Sequence, residues 1–224
     1  MLSINKIKKA FAEKLILKDI TFQAKEGELT IIEGKNGAGK STLFAIIAGQ
    51  IMADEGSIKL KDLDLVKIPA IKRAKFLSIL HQDPNASSIS SFSIKDNLIL
   101  ASLKSRRASL KSISTDEYEK MVKSHLEDLG LSDFIHDTHR SMSDLSGGQR
   151  QILSFAMATL DRPEFLLLDE PTAALDEKSS HFLMKLIKRL ITLWNIPAVM
   201  ISHDHALNRE HGDSFLTLIE GKIE

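Results

Sequence analysis

The sequence contains a glycine-rich run, Gly34-Lys35-Asn36-Gly37-Ala38-Gly39-Lys40-Ser41, which matches the pattern G-x-x-x-x-G-K-[ST]. The run follows a short β-rich segment at residues 29–32 and precedes a predicted helix at residues 41–49. Glycines let successive N–H groups point at a phosphate, and the positive end of the helix dipole adds to this attraction. In such a loop Lys40 can reach the β- and γ-phosphates, and the Ser41 hydroxyl can bind Mg²⁺. The context therefore predicts a nucleotide-binding loop, here called the phosphate loop, rather than a flexible glycine turn.

A second candidate element is the run Phe165-Leu166-Leu167-Leu168-Asp169-Glu170, an apolar strand that ends in two acids. Ligands of open parallel sheets bind at the carboxyl ends of the strands, so both acids are expected beside the phosphate loop. Asp169 is predicted to hold Mg²⁺ through water, which leaves Glu170 free to polarise an attacking water. The alternative is an ordinary acidic turn after a strand, and the presence of the phosphate loop makes it the weaker interpretation.

The remaining sequence alternates strand-like and helical patterns, which predicts an α/β fold. Strand-like segments occupy residues 1–10, 15–24, 29–32, 57–61, 76–81, 165–168, 198–202 and 214–219. Between about residues 83 and 160 the strand signal vanishes, and a mainly helical insertion is the simplest interpretation. Within it, residues 104–111 are predicted to form a solvated loop, and the capping box at residues 114–117 starts a helix that runs to Gly130. Apolar spacing at residues 178–194 predicts an amphipathic helix whose apolar side includes Phe182 and Trp194.

Composition narrows the class of protein. The 224 residues fit one domain, and 30 Lys and Arg balance 30 Asp and Glu. A neutral chain lacks the basic surface that non-specific nucleic-acid binding needs, so we expect no nucleic-acid partner. The absence of cysteine excludes disulfides, thiolate zinc sites and cysteine nucleophiles. The start of the chain lacks a signal-peptide core, and no apolar run approaches the roughly 18–20 residues that span a bilayer, so we expect a soluble protein.

Together with Leu145-Ser146-Gly147-Gly148-Gln149-Arg150, these motifs resemble those of the ATP-binding cassette (ABC) ATPases. Leu-Ser-Gly-Gly-Gln is the signature of that family and is far more specific than the phosphate loop alone. The resemblance covers essentially the whole chain, with the motifs in the family's order. It implies a P-loop NTPase core with a mainly parallel sheet, an N-terminal antiparallel β-subdomain and an inserted helical subdomain. All of residues 1–224 would form one ABC ATPase domain, with the core at about 1–82 and 161–224 and the helical subdomain at about 83–160.

The resemblance also implies ATP and Mg²⁺ as cofactors and gives further residues their roles. Phe11, in place of the family's commoner tyrosine, would stack on adenine, and Gln82 would join the Mg²⁺ and water shell. His203 would contact the γ-phosphate. The implied catalytic residues are Glu170, His203, Gln82 and Lys40; the nucleotide-binding residues are Phe11, Gly34, Asn36, Gly37, Ala38, Gly39, Lys40, Ser41, Thr42, Ser146, Gly147, Gly148, Gln149 and Asp176; the Mg²⁺ ligands are Ser41, Gln82 and Asp169.

The signature has a physical interpretation of its own. Ser146, Gly147 and Gly148 precede a predicted helix at residues 149–160, and a serine hydroxyl, glycine N–H groups and a helix N-terminus make a second anion site. In the family this site closes on the ATP of another subunit, and Asp176 lies in the loop that crosses the interface. The resemblance therefore implies a second ABC ATPase subunit, in a homodimer, and a separate transmembrane permease. A substrate-binding protein is a further implied partner, and the permease would hold the subunit on the cytoplasmic face of the cell membrane.

The resemblance therefore implies an ATP-hydrolysing subunit that powers a membrane ABC transporter, and other functions are weighed against this one. A soluble ABC-type ATPase of iron–sulfur biogenesis remains an alternative, whereas the segment between Lys40 and Ser146 lacks the long coiled coil of the DNA-repair type. A chain with one cassette does not match the two-cassette translation type, and a P-loop small-molecule kinase has no use for the signature. Within the transporters, the helix after the signature resembles that of importers paired with branched-chain-amino-acid-type permeases. His136 and His139 lack further metal ligands at a convincing spacing, so we interpret them as surface histidines.

Overall fold

The structure, a computed structural model, describes residues 1–103 and 115–224, with side chains in the second part from residue 119 onward. The solvated loop predicted at residues 104–111 lies outside the described residues, as does Ser114 of the predicted capping box. The described strands are β1 (Leu2–Phe11), β2 (Lys14–Ala24), β3 (Leu29–Glu33), β4 (Glu55–Leu60), β5 (Leu63–Asp64), β6 (Leu77–Leu80), β7 (Phe165–Asp169), β8 (Ala198–Ile201), β9 (Ser214–Ile219) and β10 (Lys222–Ile223). The described α-helices are α1 (Lys40–Ala48), α2 (Ala70–Arg73), α3 (Ile94–Ser102), α4 (Thr115–Asp128), α5 (Ser132–Ile135), α6 (Gly147–Thr159), α7 (Glu177–Trp194) and α8 (His205–His211).

A six-stranded sheet lies at the centre of the fold, in the order β10-β9-β3-β8-β7-β6. The five strands from β9 to β6 are parallel, and only β10 at the edge pairs antiparallel, with β9. Parallel neighbours cannot be joined by hairpins, so the chain returns through helices between successive strands. The mainly parallel sheet predicted from the sequence is confirmed.

Both faces of this sheet are covered at its central strands, which explains why β3, β7 and β8 are buried along nearly their whole length rather than at alternate residues. In β7, Phe165 and Leu167 point into one core, while Leu166 and Leu168 point into the other. Successive side chains of a strand point to opposite faces, so an unbroken apolar run feeds both cores. The first core contains α1 and the N-terminal strands, and the second contains α3, α4, α6 and α7.

The N-terminal strands form a separate antiparallel sheet in the order β2-β1-β4-β5. Leu2 of β1 faces Ala24 of β2 on one side and Leu60 of β4 on the other, and all three are buried. This sheet buries its apolar residues against α1, in the same core as Phe165 and Leu167 of β7. The predicted N-terminal antiparallel sheet is therefore confirmed.

Helices replace strands in the described residues between β6 and β7, as the sequence predicts. The chain there contains α3, α4, α5 and α6, and the described part holds no strand. Leu98 of α3, Leu126 of α4 and Leu153 of α6 are fully buried in one shared core. That core also includes Leu166 and Leu168 of β7, so the helices pack against one face of the parallel sheet.

Helix α7 begins after Asp176, whose side chain accepts a hydrogen bond from the N–H of Ser179, and ends at Asn195 in a left-handed conformation. Its buried residues recur with helical spacing, as predicted. The prediction is wrong for Phe182, which is 42% exposed because it lies at the margin of the buried stripe. None of the described helices combines the length and apolar character that crossing a bilayer requires.

Arg73 at the end of α2 joins that short helix to the C-terminus of α1. Its guanidinium donates hydrogen bonds to the carbonyls of Ile46 and Ile47, at 2.8 and 3.0 Å, and to the carbonyl of Ile68, at 2.8 Å. The first two belong to carbonyls near the end of α1, where helix geometry leaves oxygens without partners. The side chain is almost fully buried, and burial lowers the pKa of Arg73.

Replacing Arg73 by Met should destabilise the fold, because three buried carbonyls lose a charged donor while the side-chain volume is roughly kept. We expect a loss of about 2–4 kcal/mol in the free energy of unfolding, measured by urea denaturation. Lys72→Met, which removes an exposed charge from the same helix, is the control and should cost less than about 0.5 kcal/mol. Equal unfolding midpoints for the two variants would contradict this role of Arg73.

Candidate functional site

The phosphate loop connects β3 to α1 and curls over the start of the helix. Gly34 and Gly39 have φ angles of 153° and 108°, which disfavour any residue with a side chain. A Cβ at Gly34 would lie 2.4 Å from the carbonyl oxygen of Leu218, and one at Gly39 would lie 2.8 Å from a methyl of Leu17. No described side chain caps the N-terminus of α1, so its first N–H groups and its dipole are available to an anion.

Lys40 is the first residue of α1 and is 7% exposed. Its ammonium donates hydrogen bonds to the carbonyls of Gly34, at 2.7 Å, and Lys35, at 3.1 Å, which hold the side chain against the start of the loop. Burial lowers the pKa of Lys40, and the carboxylate of Glu170 opposes that shift. The loop therefore holds a positive charge that lacks a full counter-charge. Ser41 follows on the exposed side of the first turn, beside the half-buried Thr42.

The two acids predicted after the apolar strand lie where the sequence places them. Asp169 is the last residue of β7 and Glu170 follows it. Burial, and then the adjacent Glu170 carboxylate, raise the pKa of Asp169, because both disfavour its charged form. The backbone of Glu170 is left-handed, with φ of 44°, and its N–H donates to the carbonyl of Ile201 of β8, at 2.9 Å. Such a conformation in a residue with a side chain costs on the order of 1–3 kcal/mol and clusters at functional sites.

His203 follows β8, as predicted, and lies against Glu170. The Nε2 atom of His203 is 2.9 Å from Oε1 of Glu170, with the histidine 44% exposed and the glutamate 23% exposed. Because β8 lies between β3 and β7 in the sheet, this contact forms at the carboxyl ends of these parallel strands, where the phosphate loop also begins. This end of the sheet is here called the shared edge. The strand register pairs Leu80 of β6 with Leu168, so Gln82 emerges at the same edge. One edge of the sheet thus brings together Lys40, Gln82, Asp169, Glu170 and His203.

Two cavities open at this edge, and His203 lines both. One, of about 610 Å³, is bounded by the phosphate loop, by Glu33 and His205, and by residues 217–220. The other, of about 710 Å³, is bounded by Glu170, the start of α7 and helix α8. Both volumes lie in the range of small-molecule sites. The arrangement offers cationic and N–H donors for an anion beside a carboxylate that can accept a proton.

Within the signature, Ser146, Gly147 and Gln149 are exposed, whereas Leu145 and Gly148 are buried. Ser146 caps α6: its hydroxyl accepts from the N–H of Gln149 at 3.2 Å, while Gln149 Oε1 accepts from the N–H of Ser146 at 3.0 Å. A Cβ at Gly147 would meet no described atom within 4 Å, so the helix N-terminus faces open space. In contrast, a Cβ at Gly148 would lie 2.5 Å from the hydroxyl oxygen of Ser179 on α7. The predicted helix N-terminus is present and exposed, and its role as an anion site stays a prediction; the structure does not bring it together with the phosphate loop.

Two further predicted residues lie apart from the shared edge. Asp176 caps α7: its carboxylate accepts from the N–H and the hydroxyl of Ser179, at 2.9 and 2.8 Å, and these bonds lower the pKa of Asp176. Phe11 ends β1 and is 45% exposed, with the Lys9 ammonium 5.4 Å from the centre of its ring. An exposed aromatic face at this position is free to stack on a ligand.

Sequence reasoning missed one residue that positions the site. Gln151 on α6 is 1% exposed, and its Nε2 donates to the carbonyls of His81, at 2.8 Å, and Pro171, at 3.1 Å. These carbonyls adjoin Gln82 and Glu170, so one side chain ties the signature helix to two strand ends of the site. The only signal in the sequence is a polar residue within a predicted helix. That residue can be recognised as buried only once the packing of α6 is known.

Comparison of the sequence with known proteins identifies a matching family and several related proteins. The family model described as "ABC transporter" matches residues 17–173. A "Tyrosine transport ATP-binding protein" of Clostridioides difficile is 34% identical over 100% of this chain and 90% of its own length. A "Spermidine/putrescine import ATP-binding protein PotA" of Bacteroides fragilis is 31% identical, over 100% of this chain and 46% of its own length. The chain spans less than two thirds of the length of several such relatives.

Solved structures show the same fold. The dimeric post-hydrolysis state of the ATP-binding cassette MJ0796, bound to ADP and Pi, is similar to this chain with a TM-score of 0.82 and 27% sequence identity. The match covers 100% of this chain and 97% of that one. That cassette is a dimer and holds ADP and Pi, the products of ATP hydrolysis.

Proposed function

Because the chain belongs to the ABC transporter family and is an ATPase of the cassette type, we propose that it powers a membrane importer. The observation that carries the proposal is the single edge at which the phosphate loop, Asp169 and the Glu170–His203 pair converge. Anion donors and a positioned carboxylate at one edge are what phosphoryl transfer to water requires. The experiment that tests the chemistry is phosphate release from ATP by the purified chain.

The phosphate loop is proposed to bind the phosphates of ATP, with Phe11 stacking on adenine. The N–H groups of residues 36–42 and the start of α1 supply donors, and Lys40 supplies a positive charge. Lys40 already lies against the loop, so little side-chain ordering remains for binding to achieve.

Mg²⁺ is proposed to be held by Ser41, Gln82 and Asp169. The donor set fits a hard cation, because it offers hydroxyl, amide and carboxylate oxygens. Burial, followed by the Glu170 carboxylate, raises the pKa of Asp169, and His81 opposes that shift. When bound, the ion neutralises charge on the phosphate oxygens.

Glu170 is proposed as the general base. It takes a proton from water as the water oxygen bonds to the γ-phosphorus and the bond to the ADP oxygen breaks. His203, at 2.9 Å, orients this carboxylate and lines the cavity that reaches the phosphate loop. The left-handed backbone of Glu170 fixes the direction in which its side chain leaves the main chain.

The exposed N-terminus of α6 supports the dimer. The capping box uses the N–H groups of Ser146 and Gln149, while open space at Gly147 leaves the positive end of the α6 dipole accessible to an anion. We propose that a second copy presents its bound ATP here, so that each ATP lies between the phosphate loop of one subunit and the signature of the other. Asp176 lies beside Gly148 and would stand at the same interface.

Ser146→Arg should separate the two halves of the site. A large cation at the exposed cap blocks approach of the partner, so ATP hydrolysis should fall by about 10²–10³, the loss typical of removing a transition-state donor. Nucleotide binding by the monomer, measured with a fluorescent ATP analogue, should stay within about twofold, because the phosphate loop is untouched. Ser132→Arg on α5, another exposed serine, is the control and should hydrolyse normally. A collapse of monomer binding would show that the signature acts on its own chain's nucleotide.

The transport role rests on the relatives, whose names include tyrosine transport and spermidine/putrescine import. We propose a separate permease as partner, a peripheral position on the cytoplasmic face of the membrane, and a substrate-binding protein that delivers the transported molecule. Pairing with a branched-chain-amino-acid-type permease stays a prediction. Co-purification of the tagged chain from membranes with a hydrophobic chain tests the proposal, whereas recovery in an assembly without one would favour the iron–sulfur alternative.

The division into subdomains is likewise proposed. The helices between β6 and β7 support a helical unit at about 83–160, and the two sheets support a core at about 1–82 and 161–224. Within such a division, Gln151 is the buried link from the helical unit to the core.

A further inference from the structure

Three potential metal ligands that have no assigned role in ATP binding converge where α7 packs against α8, and two of them line the same cavity as Glu170 and His203. His181 lies in the second turn of α7, and Glu210 and His211 end α8. One donor atom from each lies within 4.8 Å of the other two, and this is the only such group in the described part of the chain. We propose that His181, Glu210 and His211 bind a transition-metal ion of the Zn²⁺ type, which bridges the two helices.

The distances within the group favour a shared ion over direct hydrogen bonds. Nδ1 of His181 is 3.3 Å from Oε2 of Glu210, and Nε2 of His211 is 3.4 Å from Oε1 of Glu210. Both are longer than the 2.7–3.2 Å of an N–H···O hydrogen bond. Adjacent ligands of tetrahedral zinc, with bonds of about 2.0–2.1 Å, lie about 3.3–3.5 Å apart. The two histidine nitrogens thus flank the Glu210 carboxylate, one beside each oxygen, and one donor atom from each of the three residues lies within 4.8 Å of the others.

His211 provides a second, independent observation. Its side chain is more than nine-tenths buried, yet Nε2 has no hydrogen-bond partner within the described residues. Leaving a buried polar atom unpaired costs about 1–3 kcal/mol, so such an atom calls for a ligand. The rings of His181 and His211 stand 5.8 Å apart at 61°, edge to face, and each has one nitrogen atom near the Glu210 carboxylate.

The surroundings supply access and a fourth ligand. His181 and Glu210 line the cavity of about 710 Å³, so an ion can enter from solvent and keep a water as its fourth ligand. Glu177 lines the same cavity and adds negative charge. Lys185 and Lys188, on the same helix as His181, place positive charge near His211, and Lys188 pairs with Asp213. Two imidazoles and one carboxylate select borderline ions such as Zn²⁺ over Mg²⁺ or Ca²⁺, which prefer all-oxygen sites.

The test is calorimetric titration of ZnCl₂ into the full chain after chelator treatment, without nucleotide. We expect one zinc per chain, and a melting temperature that rises by roughly 5–10 °C when free zinc is 100 times its dissociation constant. Mg²⁺ and Ca²⁺ should give neither effect. Co²⁺ bound in place of zinc should show the visible absorption of tetrahedral coordination.

The deciding variant is His181→Ala, because His181 is half-buried and its loss leaves the fold intact. Zinc binding should weaken at least about tenfold, and the zinc-dependent rise in melting temperature should vanish. His211→Gln should behave alike, and His136→Ala, an exposed histidine outside the group, should bind zinc as the parent does. The proposal is overturned if the parent shows no zinc-dependent rise, if His181→Ala binds as tightly as the parent, or if His136→Ala loses the site.

Discussion

Glu170→Gln should bind ATP at least as well as the parent and leave it uncleaved. The amide keeps the shape of the carboxylate but cannot accept a proton from water, and loss of a positioned general base costs about 10²–10⁴ in rate. It also removes one negative charge near Lys40 and the γ-phosphate, which favours ATP binding. Since hydrolysis reopens the dimer, the variant should accumulate as an ATP-bound dimer. The measurement is size-exclusion chromatography with Mg-ATP beside a phosphate-release assay.

A matched control for this variant lies at the other end of the same strand. Glu164 immediately precedes β7 and pairs with Lys61, at 3.0 Å, on the surface. Glu164→Gln should hydrolyse ATP at the parent rate and remain monomeric under the same conditions. Hydrolysis by Glu170→Gln at close to the parent rate would show that another residue is the base.

Lys40→Ala should abolish productive ATP binding or hydrolysis while the protein stays folded. The ammonium is the positive charge that the phosphate loop holds in place, and its hydrogen bonds go to loop carbonyls rather than to the core. Losing a preorganised charge at the reacting phosphate should reduce phosphate release by about 10²-fold or more. Phosphate release and nucleotide titration measure the loss, and a melting curve establishes that the fold survives.

Lys35→Ala is the control for Lys40, because Lys35 belongs to the same loop but its side chain is exposed. An exposed charge contributes little, so hydrolysis should change by less than about threefold. Near-normal turnover in Lys40→Ala would remove the assignment of the phosphate loop.

Local patterns allowed much of the fold to be predicted. The alternation of apolar runs with turns predicts the strands, and the strand–loop–helix context of Gly34 to Ser41 places that run correctly between β3 and α1. The helix after Ser146 is predicted by its cap, and the structure contains the reciprocal hydrogen bonds to Gln149. In each case the information lies within a few residues of the feature that it predicts.

Contacts between distant residues escaped prediction because no local pattern encodes them. The sequence places His203 and Glu170 each after its own strand, but the 2.9 Å contact depends on β7 and β8 being neighbours. The histidine pair considered from spacing, His136 and His139, is exposed, whereas His181 meets the end of α8 only through the packing of two helices.

Helix α6, through the two hydrogen bonds of Gln151 in its first turns, links the proposed partner's nucleotide to the reaction site of its own chain. Its N-terminus faces the proposed partner, and its first turns are fixed to the backbone on either side of the reaction, at His81 and Pro171. A displacement of α6 on contact with the partner's nucleotide would change the spacing between those two anchor points. Thermodynamic linkage makes that influence reciprocal, so the occupancy of each site sets the affinity of the other by the same factor. Two such helices, related by the twofold axis of the proposed dimer, would couple ATP hydrolysis at the two sites.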